Sequence, residues 1–150
     1  MHSPVEATWY YRLNSLVSKA VSEHGTVPLI NALAEARERA RNSFIYSPGF
    51  TFYERYEDKD PATEVDAICL IDGKLWIGEV KSNVREFSER EMNKLVSGTK
   101  KFGGDKAFVY AQEGNQDTLS KRCKSFSGAS GIEIVHLYPS GFVAQPAYHL

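Results

Sequence analysis

Apolar residues recur at three- and four-residue spacing over residues 5–22, at Trp9, Leu13, Leu16, Val17, Ala20 and Val21, and predict an amphipathic helix closed by Gly25. Pro28 sits in the first turn of a second predicted helix that runs to about Arg41, with Leu29, Leu33, Ala36 and Ala40 as its apolar stripe. Ser47-Pro48-Gly49 breaks the pattern, and the aromatic alternation of residues 50–56 reads as a strand. Residues 58–63, with Pro61, read as a turn. Two apolar runs follow, residues 65–71 and 75–80, separated by Asp72-Gly73, the strongest short-range hairpin signal. Ser88 and Glu91 form a capping-box pattern ahead of a helix whose stripe is Met92, Leu95, Val96, Thr99 and Phe102, stopped by Gly103-Gly104. Residues 106–111 read as an interior strand, parallel to a neighbour because both of its faces are apolar. Asn115 caps a further helix with Leu119, Cys123 and Phe126 inward, ending near Gly128, and residues 132–137 form a last strand. A hairpin-rich first half followed by strand–helix–strand crossovers implies an α/β fold, a mixed β-sheet flanked by helices.

The hairpin carries the candidate chemistry. With Asp72 and Gly73 as the two central turn residues, Ile71 faces Lys74, Asp66 faces Glu79 and Glu64 faces Lys81. Period-two alternation puts all four polar groups on one side of the ribbon. Asp66 and Glu79 fall in a non-hydrogen-bonded pair, the kind whose Cα atoms approach to roughly 4.5 Å. Like charges directly opposite destabilise a sheet, and burial sharpens the conflict. A divalent cation removes it, and hard oxygen ligands suit Mg²⁺ or Mn²⁺.

An acidic residue, a hairpin and then Glu-x-Lys resembles the signature of the PD-(D/E)XK phosphodiesterases, the restriction-endonuclease-like superfamily. The matching residues are Asp66 and Glu79-Val80-Lys81, with Glu64-Val65-Asp66 resembling a Glu-x-Asp form of the first element. The Pro-Asp dipeptide is absent, the nearest proline being Pro61. The resemblance implies a restriction-endonuclease-like αβββαβ core, here with an extra N-terminal helix. It also implies a metal-dependent nuclease in which Asp66, Glu79 and the Val80 carbonyl hold Mg²⁺ (or Mn²⁺). Lys81 would then orient or deprotonate the attacking water, or neutralise charge building on phosphorus. Glu64 either extends that site or pairs with Lys81. Members of the family often add a glutamate from the helix before the sheet, for which Glu6, Glu23, Glu35 and Glu38 are the candidates, each also explained as surface charge.

The chain of 150 residues is read as one domain, residues 1–150, with 42% hydrophobic and 25% charged residues, the ordinary composition of a globular protein. No apolar run approaches the ~20 residues of a membrane helix, and no secretory signal is evident, so no membrane role and a cytoplasmic location are expected. Cys69 and Cys123 lack metal-ligand spacing, which fits a reducing compartment. The net charge of −1 excludes a generally basic nucleic-acid binder, yet residues 1–80 carry −4 and residues 81–150 carry +3. A basic surface in the second half is thereby allowed, although Lys121-Arg122-Lys124 also reads as solvated surface. The four histidines are scattered, and Trp76 points away from the carboxylates, into packing.

The substrate expected is nucleic acid, DNA first and RNA as the alternative. The small size points to structure-directed cutting, a homodimer or delivery by a partner protein. Two rival readings stand beside the nuclease: a non-catalytic nucleic-acid- or protein-binding domain on the same fold, and a structural adaptor in which the hairpin is a core ribbon with a solvated Glu64–Lys81 pair.

Overall fold

The computed structural model describes residues 26–53, 57 and 63–140. Its elements are α1 (Thr26–Glu38), β1 (Phe44–Phe52), β2 (Thr63–Ile71), β3 (Lys74–Asn83), a 3-10 turn (Val84–Glu86), α2 (Glu89–Lys101), β4 (Lys106–Glu113), α3 (Gln116–Ser130) and β5 (Glu133–Leu137). The strands form one mixed sheet in the order β1-β2-β3-β4-β5. β1, β2 and β3 are antiparallel neighbours, whereas β4 runs parallel to β3 and β5 parallel to β4. The α/β class and the mixed sheet expected from the sequence are thus present. The helix expected at residues 5–22 lies outside the described residues, as do Glu6, Glu23 and all of the turn expected at 58–63 except Thr63, which already begins β2.

Each crossover carries its helix across the sheet in the same direction, so α2 and α3 share one face. There Met92, Leu95 and Val96 of α2 and Leu119 and Cys123 of α3 bury Ile77, Val109, Ala111 and Ile134. The opposite face is covered by α1, whose Ala32 and Ala36 lie on Cys69, Ile71, Trp76, Phe108 and Tyr110. Small residues on α1 let the helix approach the sheet closely over the large side chains beneath it. α1 ends at Glu38, three residues before the expected Arg41.

The Asp72-Gly73 turn is as expected, with φ of +49° and +79°, the backbone a type I′ hairpin needs. Asp72 also accepts backbone N–H groups from Arg41, Asn42 and Ser43, each at 2.8 Å, which anchors the α1–β1 connection to the hairpin tip. α2 starts at the implied N-cap, with the Ser88 hydroxyl accepting from the Glu91 N–H at 3.2 Å, but the reciprocal half of the box is not formed: the Ser88 N–H donates to the Glu86 carbonyl and Glu91 pairs with Lys94. α3 runs past Gly128 to a left-handed Gly131. Arg122, expected on solvated surface, instead donates to the Phe87 carbonyl.

The expected break at Ser47-Pro48-Gly49 is a correction. The strand begins at Phe44 and runs through these residues, in register with β2 on both sides of Gly49. An edge strand tolerates proline because one side of its backbone needs no partner. The strand expected over residues 50–56 coincides with only the last three residues of the observed one, Phe50–Phe52, and its residues 54–56 lie outside the described residues.

Candidate functional site

β2 and β3 pair in the expected register from Ile71–Lys74 to Ala67–Gly78, where the ladder stops. Val65 and Val80 would form the next hydrogen-bonded rung. Instead the Val80 N–H donates to Asp66 Oδ2 at 2.8 Å, so the carboxylate stands where a backbone partner would otherwise be. A strand residue sends its N–H and C=O to the same side, so the Val80 carbonyl also faces this opening. Side-chain alternation along β2 slips at the same point: Ala67, Cys69 and Ile71 pack toward α1, whereas Val65 packs toward α2. β1 changes face with it, Phe44 lying on the α1 side and Phe52 on the α2 side, against Phe102 at 4.3 Å.

Gly49 makes the slip possible. A Cβ there would lie 2.3 Å from the Val65 carbonyl oxygen and about 3 Å from Asp66 backbone atoms, so only glycine lets β1 press against β2 at this rung. The signal was in the sequence as a Pro-Gly pair, which equally announces a turn.

Asp66, Glu79 and Lys81 come together in a hollow of about 260 Å³ between the open end of the hairpin and α2. Glu64 lines it as well, although the regular alternation that put all four polar groups on one side of the ribbon does not continue past Ala67. Their pairing differs from expectation. Lys81 Nζ lies 2.5 Å from Glu79 Oε1 and 4.0 Å from Asp66 Oδ2, so the lysine spans the two acids and the expected Glu64–Lys81 pair is replaced. With no ladder holding residue 64 opposite residue 81, the lysine turns to the nearer and more buried carboxylate. The Glu79 side chain is only 12% exposed.

Burial, reinforced by the charge of Asp66 and opposed by the Lys81 hydrogen bond, pushes Glu79 up to about 7. Burial also raises Asp66, against the Val80 N–H and Lys81, which favour its charged form. Lys81 is drawn down by burial, but its bond to Glu79 and the surrounding carboxylates outweigh that and hold it above its ordinary value. In this ion pair the lysine faces both acids as a cation.

α2 supplies the rest of the wall. Glu91, Lys94 and Ser97 project into the hollow, with Lys94 Nζ 3.1 Å from Glu91 Oε1. Sequence reasoning used Glu91 as half of a capping box and so missed its place beside the acids. Its charge acts on Asp66, Glu79 and Lys81 alike. Glu35, a candidate from the helix before the sheet, instead accepts from the Ser140 N–H and hydroxyl on the other face, and Glu38 is exposed on the same helix. Trp76 is buried in the α1-side core, as expected. Among the described residues no cluster of three or more His, Cys, Asp or Glu side chains is arranged to hold a metal. Four carboxylates line this hollow, those of Glu64, Asp66, Glu79 and Glu91.

No helix among the described residues is long and apolar enough to cross a membrane. No family model, curated protein or solved structure matches this chain.

Proposed function

We propose that the protein is a metal-dependent nuclease of the PD-(D/E)XK type that hydrolyses phosphodiester bonds in DNA, with RNA as the alternative substrate. The observation that carries this reading is the convergence of Asp66, Glu79 and Lys81 in one hollow where the hairpin ladder opens. The order α1-β1-β2-β3-α2-β4, three antiparallel strands and then a parallel one, supports a restriction-endonuclease-like core.

The donor set fits a hard divalent ion. Burial, with the charge of Asp66 adding to it, holds Glu79 near 7, and the Val80 N–H points at Asp66, so that its carbonyl turns to the same side of the strand. Mg²⁺ commonly takes one or two carboxylates and completes its shell with water and substrate phosphate, so a third acidic side chain is not required. Asp66, Glu79 and the Val80 carbonyl would hold Mg²⁺ or Mn²⁺, which when bound supplies Lewis-acid polarisation and lowers the pKa of coordinated water. Lys81, already cationic, neutralises charge that develops on the phosphoryl oxygens. The Val80 N–H fixes the orientation of the Asp66 carboxylate, and Lys94 offers a second cation to the strand on the α2 wall.

A second reading has its own observation. The Lys81–Glu79 pair balances charge without a metal, which is what a non-catalytic binding domain would require. Supercoiled-plasmid nicking with Mg²⁺ or Mn²⁺ separates the two. We expect cleavage that falls about 100- to 1,000-fold in Lys81→Ala and in Asp66→Ala. Cleavage that survives either substitution would rule this site out, and calorimetry showing DNA binding without Mn²⁺ binding would favour the second reading.

A further inference from the structure

A second hollow, of about 300 Å³, adjoins the first on the α1 side of the sheet edge, and Glu64 and Asp66 line both. The two differ in chemistry. The first holds, beside its carboxylates, the cations Lys81 and Lys94, paired with Glu79 and Glu91. The second is walled by Leu29 of α1, by Gly49, Phe50 and Thr51 of β1, and by Val65 and Val80, with no cation among its described lining residues. A phosphate would meet only carboxylates there. A flat, uncharged group with apolar faces and amino hydrogens at its edge would meet Leu29, Phe50 and Val80 on part of its surface and the acceptor oxygens of Glu64 and Asp66 on the rest. Carboxylates accept from the exocyclic amino groups of bases. The volume, at the lower end for small-molecule pockets, suits one such group.

The geometry points to a divided nucleotide site, in which the backbone phosphate occupies the Lys81 hollow while one unstacked base enters the hollow walled by Leu29, Thr51 and Val80. The substrate is then single-stranded nucleic acid. A duplex must unpair and unstack the base before it can enter, and so binds more weakly. This inference rests on the nuclease reading and narrows its substrate. Gly49 serves both compartments, since the close approach of β1 that opens the second hollow also sets the backbone of Asp66.

The test uses the whole chain and fluorescein-labelled oligonucleotides of one sequence, read by anisotropy in Ca²⁺ and in EDTA. One strand is intact, a series carries a single abasic spacer moved stepwise along it, and a duplex serves as comparison. We expect the single strand to bind at least about tenfold more tightly than the duplex, and one spacer position to lose about tenfold, the effect of one stacked base. Thr51→Trp, which fills the hollow from an exposed edge position, should weaken the intact strand to the level of that spacer strand, and Thr51→Val should restore the difference. Should Thr51→Trp lose its cooperative melting transition, Leu29→Trp fills the hollow from the other wall. A spacer scan without position dependence, equal binding of duplex, or a filled hollow that leaves the difference intact overturns the inference. Plasmid nicking that persists beside a flat scan overturns the base hollow alone, whereas loss of both nicking and strand binding overturns the nuclease reading with it.

Discussion

Replacing Glu79 by glutamine should make the metal-free protein more stable at pH 8. The carboxylate is almost wholly enclosed, and burial together with the Asp66 charge moves its pKa from 4.5 to about 7. That value already contains the attraction of Lys81. At about 1.4 kcal/mol per pH unit, ionising Glu79 in the fold costs about 3 kcal/mol more than ionising it in the unfolded chain. A raised carboxyl pKa contributes stability that is complete below 4.5 and is lost as pH rises through 7. Glutamine has the shape of the protonated acid and never ionises. The two proteins should therefore match near pH 4, diverge between pH 4.5 and 7, and differ by about 3 kcal/mol at pH 8 in favour of the variant. Urea denaturation in EDTA, followed by tryptophan fluorescence across this range, measures the gap. Mg²⁺ should then close it from the other side, because a ligand bound only by the fold stabilises the wild type by about 2.7 kcal/mol at a hundredfold excess over Kd. A variant equal to or weaker than wild type at pH 8, or a gap independent of pH, would refute the claim that the site is held together against its own electrostatics.

His136 should give the opposite slope. Burial lowers its pKa to about 4, with Nε2 2.9 Å from Gln116 and Nδ1 unpartnered. Its contribution is complete above 6.5 and lost as pH falls toward 4, about 2 kcal/mol between pH 7 and 5. In the wild type this offsets Glu79 over the same interval, so the acid loss should emerge in Glu79→Gln and vanish in Glu79→Gln/His136→Leu, read from urea midpoints at the two pH values. Gly49→Val should displace the Asp66 backbone while β1 stays an edge strand. We expect cleavage to fall about 100-fold, the effect of a displacement near 1 Å, with the melting transition still cooperative.

What the sequence disclosed and what it withheld divide along a physical line. The hairpin was legible because Asp-Gly selects one turn and a two-residue turn fixes every rung beyond it, down to Ala67–Gly78. α2 was legible because a narrow apolar stripe and a side-chain cap are both local signals. The break at residues 47–49 was misread because proline and glycine punctuate turns far more often than they sit in strands. Only the neighbour β2, distant in sequence, decides that Gly49 is there to admit a close backbone. Glu91 was missed for a related reason: its local role as a capping residue satisfied the pattern, and its nearness to Asp66 and Glu79 arises from how α2 lies on the sheet. The Glu64–Lys81 pairing failed because it extrapolated a regular ladder past Asp66. That failure carries the functional argument further. A regular ladder would pair Val80 with Val65 and leave the acids as ordinary cross-strand neighbours. The chain instead gives up a backbone rung, turns a carboxylate into the vacancy and leaves a carbonyl facing it. It also keeps a second acid near neutrality beside the first. An adaptor gains nothing from this arrangement, and the cation site proposed above is the reading that would use it.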